Sequence, residues 1–320
     1  MPDAVSSGAF TMPGAAGRTS KRPGVEMSVT RLETTKVGKP WGRRMLGPGY
    51  GDVPDGEEPI GEIWFRVPAV SGTGEPELLV KLLFTDQSLS VQVHPDDAAA
   101  RARGLPRGKS EAWQILQAEP FARIALGVLE PMTKDELRAA AESGSIVALL
   151  DWKIVKAGDF WYAPAGTIHA IGAGLSLIEI QQNVDVTYRL YDYGSERQLH
   201  IDDAVAVANP IPYIAPFVPF ELKPGRRILA AGGAFVVERW SDAGSGIIKP
   251  MHGKPVWLIP LQGESGVGSE TLTRGGVWVV EGNDGVAFNG RGELLVAYSG
   301  GDVCEQLLAR SPPSFSGKQS

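Results

Sequence analysis

Only four histidines occur in the 320 residues, and two of them stand where strands could aim them at one point. His94 ends the run Leu89-Ser90-Val91-Gln92-Val93-His94, whose period-two alternation puts Gln92 and His94 on one face. His169 closes Gly158-Asp159-Phe160-Trp161-Tyr162-Ala163-Pro164-Ala165-Gly166-Thr167-Ile168-His169, a hairpin punctuated by Gly and Pro. Glu111 opens the strand after Gly108-Lys109-Ser110. Two neutral imidazoles, one carboxylate and one amide oxygen form a ligand set for a divalent ion such as Zn²⁺. Such a site stays net cationic, because one ligand charge opposes two on the ion, and it suits an oxyanion developing on a substrate. Taken singly, each of these residues reads equally well as an ordinary polar group at a strand end. Their conjunction carries the argument.

A second cluster is Glu179-Ile180-Gln181-Gln182-Asn183-Val184-Asp185-Val186-Thr187-Tyr188-Arg189-Leu190-Tyr191-Asp192. Here charges interleave with a strand pattern, so Glu179, Asp185 and Arg189 fall in or beside an otherwise apolar barrel. Buried charge is costly unless it is paired or functional. Arg189 is therefore a phosphate fork, an oxyanion stabiliser, or one half of a salt bridge with a nearby Asp.

The elements that must position these groups are mostly β. The 40 Gly and 24 Pro are spread along the chain and favour many short strands over long helices. Leu78–Phe84, Trp113–Leu116, Ala122–Val128, Gly158–Ala163, Leu175–Gln181 and Val186–Tyr191 read as strands. Thr133-Lys134-Asp135-Glu136 is a capping box followed by Leu137, Ala140 and Ala141 at helical spacing, which predicts a helical insertion at about 131–150. Ala208–Pro219, with four prolines, is the linker to a second strand-rich block at 216–310. The expected architecture is mainly β: two jelly-roll barrels, the first over 27–210 with the insertion, the second without a metal site. Residues 1–26 read as a disordered leader, with Met27 an alternative start, and 311–320 as a flexible tail.

The net charge of −6 argues against a nucleic-acid partner but allows a small anionic substrate held by a few local cations. Cys304 is the lone cysteine, so neither an intramolecular disulfide nor a thiolate-rich metal site can form. No apolar run reaches the ~18 residues that cross a bilayer, and the leader lacks the apolar core of a secretory signal. A cytoplasmic location without a membrane partner is the expectation.

Several segments together resemble the type I mannose-6-phosphate isomerases of the cupin superfamily, in their short bacterial form. They are Lys39-Pro40-Trp41-Gly42, Gly61-Glu62-Ile63-Trp64, Leu82 through Asp97, Gly108-Lys109-Ser110-Glu111-Ala112-Trp113, Pro164 through Ile171, and Glu179 to Asp192. The hairpin ending at His169 is similar to the second cupin motif, except that Ala173 replaces an Asn common there. Phe84 likewise replaces a commonly acidic residue. The resemblance implies one Zn²⁺ per chain on Gln92, His94, Glu111 and His169. It implies catalytic roles for Arg189, Lys109, Glu179 and Asp185, and substrate contacts from Lys81, Ser110, Lys109 and Arg189. His252 lies outside any cupin ligand spacing.

The implied reaction interconverts D-mannose 6-phosphate and D-fructose 6-phosphate, a step of carbohydrate metabolism that can feed GDP-mannose biosynthesis. A base takes the C2 proton, a cis-enediol(ate) forms, and the proton returns at C1. Lys109, depressed beside a cation, and Glu179, raised in a dry pocket, both remain open as that base. A monomer or weak homodimer is expected. Two rivals stand beside this reading: a non-catalytic sugar-phosphate-binding cupin, and another metal-cupin enzyme such as a dioxygenase.

Overall fold

The structure, a computed structural model, describes residues 28–47, 49–68, 76–251 and 254–310. The expected leader, the expected tail and His252 lie outside the described residues. In chain order the first half runs β1 (Ser28–Arg31), β2 (Glu33–Arg43), β3 (Ile60–Arg66), β4 (Leu78–Thr85), β5 (Val91–Val93), α1 (Asp97–Arg101), β6 (Glu111–Ala118) and β7 (Arg123–Val128). It continues with α2 (Lys134–Ser143), α3 (Ile146–Leu149), β8 (Leu150–Ile154), β9 (Phe160–Ala163), β10 (His169–Ile171), β11 (Leu175–Gln182), β12 (Tyr188–Tyr191) and α4 (Ile201–Val207). The second half contributes strands: β13 (Phe220–Lys223), β14 (Arg226–Ala230), β15 (Phe235–Ser241), β16 (Gly244–Ile248), β17 (Val256–Gln262) and β18 (Ser265–Val267). It closes with β19 (Glu270–Leu272), β20 (Trp278–Glu281), β21 (Val286–Gly290), β22 (Glu293–Ser299) and β23 (Leu308–Ala309).

Antiparallel ladders join these strands into two sandwiches. In the first, a six-stranded sheet β2-β3-β4-β11-β6-β9 faces a five-stranded sheet β12-β5-β10-β7-β8. In the second, a seven-stranded sheet β1-β20-β17-β22-β15-β14-β13 faces β19-β18-β21-β16-β23. The first strand thus belongs to the second sandwich, with Ser28 opposite Glu281.

The six-stranded sheet is covered on both faces. Val80, Phe84, Ile178 and Ile180 pack against Phe235, Val237, Trp257 and Leu295 of the seven-stranded sheet. The intervening side chains, such as Leu83, Trp113 and Leu177, fill the first sandwich. Double coverage explains why β4 and β11 are buried along their whole length and read as continuous runs rather than as alternation. Each large apolar side chain in such a layer contributes about 1.5–3 kcal/mol, so the sandwiches pack as one body. Phe84 faces this interface, its ring 5.5 Å from Tyr50, and takes no part in the site.

Helices cover the outer face of the five-stranded sheet. Leu137, Ala140 and Ala141 of α2, with Ala204 and Val205 of α4, pack on Val91, Val93, Ala170 and Leu190. Thr133 caps α2 and the Glu136 carboxylate closes the reciprocal box. Among the described residues, no helix is long and apolar enough to cross a membrane.

Candidate active site

Because Val91, Val93, Ala170, Tyr188 and Leu190 face the helices, the residues between them face the interior of the first sandwich. Backbone register then sets Arg189, Gln92 and His169 side by side on β12, β5 and β10. The six-stranded sheet opposes this row with its own. Trp64, Lys81, Glu179 and Trp113 lie in register on β3, β4, β11 and β6, and Glu111 pairs with Gln181 one step on.

Two glycines let the loops deliver their residues. Gly108 lies flat against the backbone of Asp96 and Asp97, where a Cβ would come within 2.4 Å of Asp96 C. Its amide donates to Asp97 Oδ1 at 2.8 Å, which seats Lys109 beside His94. Gly166 holds a left-handed φ of 84° in the turn before His169. Its N–H donates to the His94 carbonyl at 2.8 Å, so the two histidine-bearing segments are tied together.

The result is a compact buried cluster. Ring centroids of His94 and His169 are 4.9 Å apart. Glu111 Oε1 lies 3.1 Å from His94 Nε2, and Oε2 lies 3.6 Å from His169 Nε2. One ligand atom from each of the three residues falls within 4.8 Å of the others. Gln92 Nε2 is 3.2 Å from His169 Nε2. His169 Nδ1 sits 2.9 Å from the Thr167 carbonyl, which can only accept; Nδ1 therefore carries the hydrogen and Nε2 presents its lone pair inward.

Electrostatics keeps the set in ligand form. Burial, reinforced by Lys109, pushes His94 down to about 3, and burial lowers His169 as well, so both imidazoles are neutral at pH 7. Burial alone would raise Glu111, but Lys109 and the imidazoles hold its carboxyl well below the ordinary carboxylate range. Lys109 Nζ is 2.8 Å from Glu111 Oε1, yet neither Glu111 oxygen accepts a well-directed hydrogen bond, nor does His94 Nδ1 have a partner. Buried carboxylate oxygens without a well-directed hydrogen bond are rare and call for an ion or a ligand. A divalent cation fits these residues. Neutral nitrogens, one carboxylate and an amide that can turn its oxygen inward are the donors such an ion takes.

Beside the cluster, Lys81 Nζ lies 3.4 Å from Glu179 Oε2 and 4.7 Å from the centre of the Trp64 ring. Trp113 Nε1 donates to Glu179 Oε1 at 3.4 Å, and its ring meets His169 edge-on at 5.3 Å. Burial, then the Glu111 charge, raise Glu179 to about 7 against the pull of Lys81 and Lys109. For Lys109 burial works downward, but Glu111 and Glu179 outweigh it and the pKa is raised. Trp64 and Trp113 were not singled out from the sequence. Trp113, two residues after Glu111 on one strand, shares its face, and that spacing was the available signal.

The remaining sequence candidates divide. Arg189 is half-buried with no ion-pair partner among the described residues, and its buried Nε lacks an acceptor. The alternative of an Arg189–Asp salt bridge is not realised: Asp192 instead takes both Arg197 Nε, at 2.7 Å, and Nη2, at 2.5 Å. Asp185 is exposed between β11 and β12, outside the buried cluster. Ser110 Oγ accepts from the Ala165 N–H at 3.1 Å, so its hydroxyl serves the hairpin. A surface cleft lined by Asp96, Arg103, Ala165 and Asn209 lies on the outer side of that hairpin and includes none of the clustered groups.

No family model matches the chain. It is 38% identical over 208 residues to the mannose-6-phosphate isomerase of Streptococcus mutans, an alignment covering 60% of this chain and 64% of that one. It is 37% identical over 220 residues to the mannose-6-phosphate isomerase ManA of Bacillus subtilis, covering 64% of this chain and 69% of the relative. The chain thus spans less than two thirds of the first relative's length, and 62% of another from Bacillus subtilis. Among solved structures it is similar to a mannose 6-phosphate isomerase from Bacillus subtilis, with a TM-score of 0.70 and 27% identity, over 84% of this chain and 99% of that one. A phosphomannose isomerase from Salmonella typhimurium shares the fold at a TM-score of 0.63 and 18% identity, over 85% of this chain and 100% of that one.

Proposed function

Since the chain belongs to the mannose-6-phosphate isomerase family, we propose that it interconverts D-mannose 6-phosphate and D-fructose 6-phosphate. One observation carries this reading: a buried His94–Glu111–His169 cluster whose carboxylate oxygens lack a well-directed hydrogen bond, with Lys109 ion-paired to it and Lys81 and Arg189 on the neighbouring strands. Gln92, His94, Glu111 and His169 would hold one Zn²⁺. When bound, the ion supplies Lewis-acid polarisation of substrate oxygens.

The chain's own groups account for the rest. Proton transfer between C2 and C1 of the open-chain sugar needs a base whose pKa lies near the working pH. Of the two candidates, the electrostatics of the metal-free cluster favours Glu179. Its carboxyl is held near 7, whereas the Lys109 ammonium is pinned between Glu111 and His94 and kept charged. The C2 proton would pass to a Glu179 oxygen and return from it to C1, while the hydroxyl proton on O2 moves to O1, so that C1 becomes a hydroxymethyl and C2 a carbonyl. Lys109 and Arg189 place fixed positive charge where the enediolate oxygens gain negative charge. Arg189, half-buried and without an ion-pair partner among the described residues, has its guanidinium available for that charge or, in its place, for the phosphate. Asp185, close enough to Arg189 to oppose the lowering of its pKa, would tune it from the rim.

The deciding experiment is a coupled isomerase assay on mannose 6-phosphate, run on the purified chain before and after chelation and again after zinc is restored. The expected result is turnover that disappears with the metal and returns with it. Tight sugar-phosphate binding without turnover would overturn the assignment in favour of a sensor. Oxygen consumption would overturn it in favour of a dioxygenase.

A further inference from the structure

Among the described residues the second sandwich contributes none to the cluster, yet it grips the strand that positions it. That strand is β9, at the edge of the six-stranded sheet, with a ladder partner among the described residues only in β6. Its last residue, Ala163, pairs with Glu111, and the chain then turns through Pro164–Thr167 to His169. A drift of β9 would therefore move Glu111 and His169 apart. Edge strands held on one side only are where local opening begins.

The second sandwich holds β9 at both ends. At the entrance, Arg239 of β15 donates through Nη2 to the Gly158 carbonyl at 3.2 Å and to Gln114 Oε1. Gln114 Nε2 in turn donates to the Asp159 carbonyl at 3.3 Å, and Arg239 is itself oriented by Glu293 at 3.2 Å. At the exit, the Tyr162 ring meets Phe235 edge-on with centroids 5.5 Å apart. Its hydroxyl fits into the loop Gly232–Ala234, so closely that a Cβ on Gly233 would lie 2.3 Å from the oxygen. The same hydroxyl faces Ser110, whose Oγ takes the Ala165 N–H and which separates Lys109 from Glu111 in the chain. The Tyr162 carbonyl accepts from the Tyr213 hydroxyl of the linker at 2.6 Å.

We infer that the second sandwich is a mould for the metal cluster: Arg239 and Tyr162 are positioning residues that clamp β9 and thereby hold Glu111 and His169 at ligand spacing. Ser110 belongs to the same frame, so we read it as a positioning rather than a substrate-binding residue. The inference rests on the metal-site reading above, and its test separates the two.

The probes are Co²⁺ absorption and affinity on the full chain, together with amide hydrogen exchange of Gly166–His169 in metal-free protein. Arg239→Met and Tyr162→Phe are expected to weaken Co²⁺ about tenfold, the lower end for groups that support ligands. They should also shift its visible bands and speed exchange in the hairpin. Phe288→Leu, in the inner core of the second sandwich, is the control; it should lower the melting temperature and leave all three readouts unchanged. Gly233→Ala should reproduce the defect by displacing the hydroxyl, and Gly233→Ala combined with Tyr162→Phe should recover part of it because the clashing oxygen is gone. The mould is refuted if the clamp variants keep wild-type affinity, spectrum and exchange, or change only as the control does. A wild-type chain that takes up no Co²⁺ would count against the metal reading instead, and hydrogen exchange would still decide the clamp.

Discussion

Both sandwiches bury charge, and they do so in opposite ways. In the second, Glu238 is fully buried and every lone pair facing it is used. Arg226 reaches it through Nε and Nη2 at 2.9 Å each, Trp240 Nε1 donates at 2.7 Å, and the Tyr298 hydroxyl donates at 2.8 Å. Arg226 donates further to the Cys304 and Glu305 carbonyls. In the first, Glu111 is as deeply buried, but its oxygens have no directed donor, and His94 keeps a partnerless nitrogen. A closed network spends its polarity on the fold. An open one keeps it for something that arrives later. The contrast separates a structural ion pair from a site without reference to any relative.

The strongest way to break this contrast is Glu111→Ala. Bound metal and turnover should both fall to background while the chain still unfolds cooperatively; stoichiometric zinc with full activity, by metal analysis and assay, would remove Glu111 from the site. Next comes Arg226→Met, which strands the buried Glu238 charge. Urea unfolding should show a loss of about 3–5 kcal/mol, with turnover per folded molecule unchanged. Stability within error of wild type would mean the closed network is not closed.

Two substitutions sharpen the comparison inside the first sandwich. Glu179→Gln should lower kcat at least about 100-fold, as loss of a general base does. The carboxylate is the active form, so wild-type kcat/KM should fall as pH drops through about 7, and this limb should be absent in the variant. A limb that survives the substitution belongs to another group. Arg189→Ala should retain zinc and also lose turnover about 100-fold, the effect of deleting one oxyanion donor; unchanged kcat would leave it a structural residue. The smallest effect is at the helical cover: Thr133→Ala should cost about 1 kcal/mol in a thermal melt and nothing in the assay.

Much of the first sandwich was legible in the sequence because its signals are local. The Gln92–His94 alternation, the Gly–Pro hairpin before His169 and the Thr133–Glu136 box each sit within a dozen residues. What was hidden depends on partners far along the chain. The membership of β1 in the second sandwich, opposite Trp278–Glu281, leaves no periodic trace. The helices α1 and α4, at five and seven residues, are too short to build a recognisable face. Asp96, which reads as part of a turn, is the N-cap of α1 and accepts from the Ala99 amide at 2.7 Å. The role of Ser110 was unreadable for a related reason: its neighbour Tyr162 is fixed by the other sandwich, and nothing around residue 110 announces that.

The antiparallel seam between Ser28–Arg31 and Trp278–Glu281 has a temporal consequence. A ribosome would release the first of these segments long before the second exists, so that rim of the seven-stranded sheet must wait open. Loop closure over such a distance is slow relative to local pairing. Maturation would then end with this seam, β1 waiting for a partner made about 250 residues later.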